Sequence, residues 1–339
     1  MSFQTLPVEL VALIANEVAH GESISLRLPA STQSKIMVFS QVCASWRGIA
    51  FSLRPLWAHY TLHLRASKST RRQPQWVRER FDECITRAGK HPVHLEVVQE
   101  DAEYGLSLLM RLLSAHSSSL GSLSLDIPDK TFVTLAKHTC FRFDTLRSLR
   151  IALHLNEKRE QTLLPDDRRS RFFAKMPHLE NLELGYHEWC PLAEIIPQLD
   201  EWALPLGRLR SFSLQHLWLE LPELLQILDG APELTECRAY VEAPPLREQL
   251  REEDFVPLQL LHLRTLALVF RVPHPTIWRQ FVAPELDVLD ITMFTEPDED
   301  EDEHWQCPLP ENSERFYYEQ PKARSVVYHD FLMDCMCTM

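Results

Sequence analysis

The chain has 339 residues, of which 45% are hydrophobic and 24% are charged, a composition that excludes disorder over the whole length. Its formal net charge of −13 argues against general binding to nucleic acid or to anionic membranes. Eight glycines are present, and none are close enough together for a G-x-G-x-x-G loop, a P-loop or a G-x-S-x-G nucleophile elbow.

The sequence contains no recognisable targeting or membrane-spanning segment. Glu9 and Glu17 interrupt the apolar N-terminal stretch, so we expect no signal peptide. No apolar run reaches the roughly 18 residues that a membrane-spanning helix needs. The eight cysteines are scattered, as is typical of reduced thiols. We therefore expect an intracellular protein, cytoplasmic or nuclear, with no membrane partner.

Residues 1–57 predict a small helical domain. Pro7 favours a first helical turn, and Leu10, Leu13, Ile14 and Val18 follow at helical spacing. After a break between residues 21 and 29, a second helical stretch is predicted from about residue 31 through residue 50. So small a bundle buries little apolar surface and is marginal alone, which suggests that it binds a partner.

Three motifs in this segment carry a family resemblance. They are Leu6-Pro7-x-Glu9-Leu10, then Val42-Cys43-x-x-Trp46-Arg47-x-x-Ala50, then Leu56-Trp57. Together they resemble the F-box, over about residues 5–57, with a spacer some ten residues longer than in the plain F-box. The resemblance implies docking to the Skp-family adaptor, and through it to a cullin, in a Skp–cullin–F-box ubiquitin ligase.

The resemblance also assigns adaptor-binding residues. Leu6 and Pro7 would begin the docking helix, Leu10 and Ile14 would face the adaptor, and Val42 and Trp46 would add apolar contacts from the later helix. The alternative is that some of these side chains, Trp46 and Cys43 above all, only pack the bundle. Leu56-Trp57 is expected to join the bundle to the C-terminal remainder of the chain.

Residues 58–90 predict a strand followed by a basic helix. Tyr60, Leu62 and Leu64 alternate with polar residues, which is the period of a strand with one buried face, and we expect it to be the first strand of the sheet. Residues 65–90 are basic, which raises the possibility of nucleic-acid contact. However, an apolar helical face would be buried and would leave the bases in solvent, so we expect no nucleic-acid partner. That face comprises Trp76, Phe81, Cys84, Ile85 and Ala88.

An L-x-x-L-x-L pattern recurs about every 28 residues from residue 120 to residue 291. Six copies are clear, a seventh at Leu234/Cys237/Ala239 is degenerate, and Val93/Leu95/Val97 form a possible earlier copy. Helix-like stretches between the copies, such as those beginning at Leu106 and Leu221, require successive strands to be parallel. Stacked units of this kind share one core, which predicts a curved α/β solenoid. The alternative is a leucine-rich α/β domain without true repeats.

This region, residues 91–294, resembles the leucine-rich repeat family, although it lacks the usual Asn or Cys after the last leucine. The predicted fold class is therefore α/β, with a small helical F-box bundle followed by a curved leucine-rich-repeat solenoid with a parallel sheet. The predicted segments are the F-box-like domain at 1–57, the solenoid at 58–294, and an acidic loop with a C-terminal tail at 295–339.

The residue between the last two apolar positions of each repeat is predicted to point away from the core. Aligned in parallel, these residues would form a polar stripe of mixed charge, suited to a protein or peptide partner. Trp218 and Tyr240 are expected near it. The alternative is an ordinary solvated sheet face. The predicted partner-binding residues are Ser124, Arg150, Glu183, Ser213, Arg238 and Asp290, with Ala267 in the same series.

The sequence contains only isolated fragments of metal-binding motifs. His187 and Cys190 are three apart without a second pair, and Cys335/Cys337 lie near the end of the chain. Seven acids between Glu296 and Glu303 lack the glycine of a calcium loop and predict a solvated acidic loop. We expect no cofactor, no metal and no enzyme activity.

Three functions are compatible with these features. The first is a substrate-recognition subunit of a Skp–cullin–F-box ligase, which would bind an unknown protein substrate. The second is a leucine-rich-repeat interaction scaffold without a ubiquitin-ligase role. The third is a hydrolase or other enzyme on an α/β scaffold, which would need a pocket that gathers a nucleophile, a base and an acid.

Overall fold

The computed structural model describes residues 6–19, 21, 23–27, 31–65, 73–101, 104–138, 140–154, 172–187, 203–242, 257–270, 281–295 and 325–332. The chain divides into a first unit, Met1–Leu179 with Glu201–Ala203, and a second unit, Glu180–Asp200 with Leu204–Met339. Each unit carries helices and parallel strands, so the predicted α/β class with a parallel sheet is confirmed. The predicted segment boundaries at residues 57 and 294 stay predictions.

The first unit alternates helices with strands. Three-residue or four-residue 3₁₀ helices lie at Arg54–Trp57, Ser117–Ser119 and Phe173–Lys175. The other elements are α1 (Val8–Ala19), β1 (Ile24–Arg27), β2 (Ser31–Gln33), α2 (Lys35–Ser40), α3 (Ala44–Ser52), β3 (His59–Leu64), α4 (Gln73–Ala88), β4 (Val93–Gln99), α5 (Leu106–His116), β5 (Leu120–Pro128), α6 (Asp129–Lys137) and β6 (Ser148–His154).

The strands of the first unit lie in the order β6-β5-β4-β3-β1-β2. The pairs β6/β5, β5/β4, β4/β3 and β3/β1 are parallel, and only the short β2 runs antiparallel to its neighbour β1 among these strands. Helices α4, α5 and α6 supply the crossovers between consecutive parallel strands.

The second unit repeats this arrangement with fewer helices among its described residues. Its larger sheet has the order β14-β13-β11-β9-β8-β7 with parallel pairing between neighbours, and β10 pairs with β12. Its elements are β7 (Asn181–Tyr186), a 3₁₀ helix (Leu206–Arg208), β8 (Ser211–Glu220), α7 (Leu221–Gly230), β9 (Glu236–Glu242), β10 (Leu258–Gln259), β11 (Thr265–Phe270), β12 (Phe281–Val282), β13 (Val288–Thr295) and β14 (Ser325–Leu332).

The recurrent leucine pattern accounts for the cores of both units. Each of the seven predicted copies contributes a strand, and equivalent positions pair in register, as Leu123 does with Leu149 and Leu266 with Leu289. The degenerate copy also fits, because Cys237 pairs with Phe212 on one side and Leu266 on the other. The first leucine of each copy, at or just before the start of its strand, is buried as well. Parallel stacking therefore gives every unit a continuous apolar layer that no single repeat could close.

The N-terminal segment differs from the sequence prediction in two ways. The expected break between residues 21 and 29 contains strand β1, whose Ile24 and Leu26 are buried and which pairs with β3, so β3 is not the first strand. A strand of four residues offers too few alternations to be recognised by period alone. The single helix predicted over residues 31–50 is instead strand β2 followed by two helices, which separate because Cys43, at the N-cap position of α3, has extended backbone (φ −160°, ψ 172°).

Other predicted elements are found close to their expected places. Helix α4 buries Phe81, Cys84 and Ala88, while Trp76 and Ile85 are partly exposed. Helix α7 begins with Pro222 in its first turn and closes a capping box between Glu220 and Glu223. Within the described part of the chain, no helix is both long and apolar enough to cross a membrane.

Candidate functional site

The three N-terminal helices expose an unusual amount of apolar surface. Helix α1 packs on α2 and α3 through the buried Val11 and Ala15. Its larger apolar side chains point the other way, with Leu13 59% exposed. In most helices the large apolar side chains are the buried ones. In α1 the smaller apolar side chains are buried and the larger ones are exposed. Six apolar side chains of this segment are each more than a third exposed, and we refer to this set as the N-terminal apolar patch: Val8, Leu10, Leu13, Ile14, Val38 and Val42.

The predicted adaptor-binding residues fall into two groups in the structure. Leu10, Ile14 and Val42 are 47%, 37% and 55% exposed, and all three belong to the N-terminal apolar patch. Pro7 is exposed beside them in sequence, and Leu6 is partly exposed. Val42 lies in the turn between α2 and α3, where the sequence had predicted continuous helix.

Trp46 belongs to the second group because it partly packs within the bundle. Its ring stacks on the buried Phe39 at 4.5 Å between centroids and 28° between planes, and the residue keeps intermediate exposure. Arg47 donates from Nε to the carbonyl oxygen of Ser40 at 3.1 Å, which ties α3 to the end of α2. Trp46 therefore has one packed face and one accessible edge.

Trp57 fixes this bundle to the rest of the first unit. The indole is fully buried, and its Nε1 donates to the carbonyl oxygen of Ala50 on α3 at 2.8 Å. The guanidinium carbon of Arg87 on α4 lies 4.5 Å from the Trp57 ring and 4.3 Å from that of Phe51, which adds cation–π attraction. The apolar patch is thus presented by helices that are anchored to α4.

The outward strand face is the second candidate surface, and it comprises the side chains that alternate with the buried apolar ones, of which Thr61 is itself buried. In the first unit, Thr61, Glu96, Ser124 and Arg150 pair in register, as predicted for Ser124 and Arg150. The hydroxyl of Thr61 donates to Oε2 of Glu96 at 2.9 Å and lies 2.5 Å from that of Ser23. The four paired residues form the first polar row.

A stacked histidine pair lies beside the first polar row. His59 and His94 pair in register, and their rings are parallel within 1° at 4.4 Å between centroids. Partial burial lowers the pKa of both imidazoles, and the charge of His59 lowers the pKa of His94 further. The repeat pattern did not single out this pair, although aligning β3 with the repeat period would have placed the two side by side.

The second unit brings the other predicted partner-binding residues together. Glu183, Ser213, Arg238, Ala267 and Asp290 pair one after another across five parallel strands, and we call them the second polar row. The guanidinium of Arg238 has no ion-pair partner among the described residues, and the buried Oδ1 of Asp290 has no hydrogen-bond partner among them.

An aromatic group stands next to the second polar row. Tyr240 packs edge-to-face on Trp218 at 5.4 Å, and His216 lies 5.4 Å from Tyr240. Tyr240 alternates with the buried Ala239 and Val241 and pairs with Trp218, so both aromatic residues lie on the predicted face, Trp218 buried and Tyr240 partly exposed. Burial raises the pKa of Tyr240 and lowers that of His216.

A bulge in β8 creates this aromatic group and could not be read from the repeat pattern. Ser213 pairs with Arg238 and Trp218 with Tyr240, so β8 has four residues between these pairs where β9 has one. Within the bulge, His216 has a left-handed backbone (φ +56°), which is uncommon for a residue with a side chain. Gln215, also in the bulge, donates from Nε2 to Oε1 of Glu183 at 2.9 Å.

The predicted metal and acidic motifs lie mostly outside the described residues. His187 is described and exposed, while Cys190, Cys335, Cys337 and the acidic run at 296–303 lie outside. In the first unit, Nε2 of His154 lies 2.5 Å from Oδ1 of Asp126 on the neighbouring strand. This distance is that of a hydrogen bond, or of an ion pair when the imidazole is protonated.

No protein-family model matches the chain, and a search of curated proteins found no significant match. The two surfaces therefore have to be interpreted from their own geometry.

Proposed function

We propose that the chain is the substrate-recognition subunit of a Skp–cullin–F-box ubiquitin ligase, an F-box protein with C-terminal leucine-rich repeats. In this proposal the N-terminal helices bind the Skp-family adaptor, the adaptor binds a cullin, and a repeat solenoid holds the protein to be ubiquitylated. The chain itself performs no chemistry. The observation that carries the proposal is the N-terminal apolar patch.

The patch supports adaptor binding because it includes three of the residues that the F-box resemblance assigns to the adaptor. Leu10, Ile14 and Val42 each leave more than a third of their surface in solvent. Several large apolar side chains exposed in one short segment are typical of a protein interface. Trp57 and Arg87 hold the supporting helices in place, which reduces the entropy that binding would cost.

The regular strand register supports the repeat half of the proposal. Within each unit, successive L-x-x-L-x-L copies pair in parallel and place one outward residue per strand on a common face, polar in every copy except Ala267, which is how a repeat array presents a binding surface.

A pull-down with the purified Skp adaptor tests the proposal. Leu10→Asp and Val42→Asp each place a charge in the patch, and we expect each to weaken adaptor binding by about tenfold or more, as for central interface residues. Leu261→Asp is the matched control, because Leu261 is 53% exposed in the second unit. Unchanged binding by both patch variants, with the fold intact by circular dichroism, would show that the assignment is wrong.

A second candidate function is an interaction scaffold without a ubiquitin-ligase role. Strand β1 favours it, because this strand lies within the N-terminal segment yet pairs with β3, and the antiparallel β2 then covers the edge of β1. A segment that closes a sheet edge can serve as a cap for a repeat array. A wild-type chain that is a stable monomer and fails to bind the adaptor would favour the scaffold.

A further inference from the structure

The outward face of the second unit has an uneven charge distribution. Along β7, β8, β9 and β13, the outward positions carry five carboxylates and one guanidinium, that of Arg238, among the described residues. The carboxylates are Glu183, Glu220, Glu236, Glu242 and Asp290. Glu220 and Glu242 pair on neighbouring strands about 4.8 Å apart, and each of the other carboxylates is separated from the next by an intervening strand, so their fields still overlap at the surface.

The shape of this face is set by the short side chains of β11. Strand β11 contributes Thr265, Ala267 and Val269, which pair with Glu236, Arg238 and Tyr240 on one side. On the other side Ala267 pairs with Asp290. The longer side chains of β9 and the carboxylate of Asp290 therefore flank the shorter side chains of β11.

Two polar groups on this face lack partners among the described residues. The Oδ1 atom of Asp290 is buried without a hydrogen-bond donor, which is costly for a carboxylate oxygen. Nδ1 of His216 is likewise buried and without a partner, within the strained bulge beside Tyr240. Backbone strain and unpaired polar atoms together are typical of a surface that is completed by a ligand.

We propose that this face binds an extended, lysine- and arginine-rich segment of the client protein. A lysine or arginine side chain of the partner that lies over Ala267 can donate a hydrogen bond to Asp290, while its aliphatic stem packs on Val269. A second cationic side chain of the partner can lie against the ring of Tyr240. Burial keeps His216 neutral near pH 7 by lowering its pKa, so it adds no opposing charge. This inference rests on the proposed function for the identity of the client.

Fluorescence anisotropy with the full chain tests the proposal, using a labelled alternating Lys–Ser peptide and an alternating Glu–Ser peptide of equal length. We expect the basic peptide to bind more tightly and its affinity to fall with added salt. Asp290→Asn and Glu236→Gln should each weaken its binding by roughly threefold to tenfold, and Arg238→Gln should strengthen it by roughly twofold to threefold.

Variants that remove a carboxylate elsewhere in the chain separate a specific face from general acidity. Glu9→Gln and Glu17→Gln remove the same charge from the exposed side of α1, and we expect the affinity to change by less than about twofold. Tighter binding of the acidic peptide, or equal effects of the α1 and β13 variants, would overturn the proposal. Glu236 is exposed, so Glu236→Gln keeps the test valid if Asp290→Asn does not fold.

Adaptor capture by the same variants separates the two proposals. If wild type fails to bind the adaptor but shows the expected peptide pattern, the ligase assignment is wrong and the basic-peptide face stands. If adaptor binding is intact and the peptide pattern is absent, only the inference about the client fails.

Discussion

The stacked pair of His59 and His94 shows how a single contact couples stability to pH. Two parallel rings at 4.4 Å can share a face while both are neutral, but two imidazolium ions at that distance repel. Partial burial adds a desolvation cost to the charged forms, which is the leading cause of the lowered pKa values. His63 and His216 have lowered pKa values for the same leading reason.

These histidines predict that the protein loses stability in mild acid. Their ordinary pKa is 6.5, and their pKa in the folded state is lower, so the unfolded chain binds more protons between those two values. The stabilisation is complete above pH 6.5 and is lost as the pH falls through the folded-state pKa values. Urea unfolding at a series of pH values measures this slope.

A substitution at the pair checks the cause of the slope. His94→Gln should make stability less dependent on pH below about 6.5, because one of the groups with a lowered pKa is removed. A slope unaffected by His94→Gln would show that other groups govern the acid response.

At the scale of elements, the close approach of β7 and β8 depends on Gly185. A Cβ at this position would lie 2.5 Å from the carbonyl oxygen of Gln215 and 2.6 Å from the Cβ of the same residue. The bulge in β8 pushes its backbone toward β7 here, so no flexible side chain can move aside to make room. Glycine is required by contact and not by a left-handed backbone.

Gly185→Ala is therefore expected to destabilise the second unit by about 1–3 kcal/mol, the usual cost of overpacking. The free energy of unfolding from urea titration measures this loss. Gly207→Ala is the control, since a Cβ there meets nothing within 4 Å, and we expect a change within about 0.5 kcal/mol. Equal effects of the two variants would contradict the role of the bulge.

Over the molecule as a whole, the two tryptophans of the N-terminal segment differ in burial and therefore in what each contributes to the fold. Trp57 is fully buried and joins α3 to α4 through a hydrogen bond and a cation–π contact. Trp46, eleven positions earlier in the same segment, keeps an accessible edge. The same residue type therefore anchors the N-terminal helices at one position and remains available to a partner at the other.

This division gives opposite expectations for two alanine variants. Trp57→Ala should lower the free energy of unfolding by about 3–5 kcal/mol, the range for a buried tryptophan. Trp46→Ala should cost less stability and, under the proposed function, weaken adaptor binding. Thermal unfolding and adaptor pull-down measure the two effects, and a larger stability loss for Trp46→Ala would contradict the assignment.

Much of the fold could be predicted because the leucine period is a local signal that repeats. Leu123 and Leu149 had to share a core layer once both were assigned to parallel strands, and even the degenerate Cys237 kept its register. The polar residues between the leucines then had to point outward, because strand side chains alternate. That alternation placed Arg238 and Asp290 on one face, where the structure also has them.

The amino-acid pattern by itself determined the α/β class, the strand registers and the outward residues, since each depends on alternation within a few residues. The tertiary structure alone decided that Ile24 and Leu26 join the sheet, that β8 bulges at His216, and that His59 stacks on His94. Each of these depends on how close two distant backbones come, and that distance is fixed by packing across strands and not by the order of residues along any one of them.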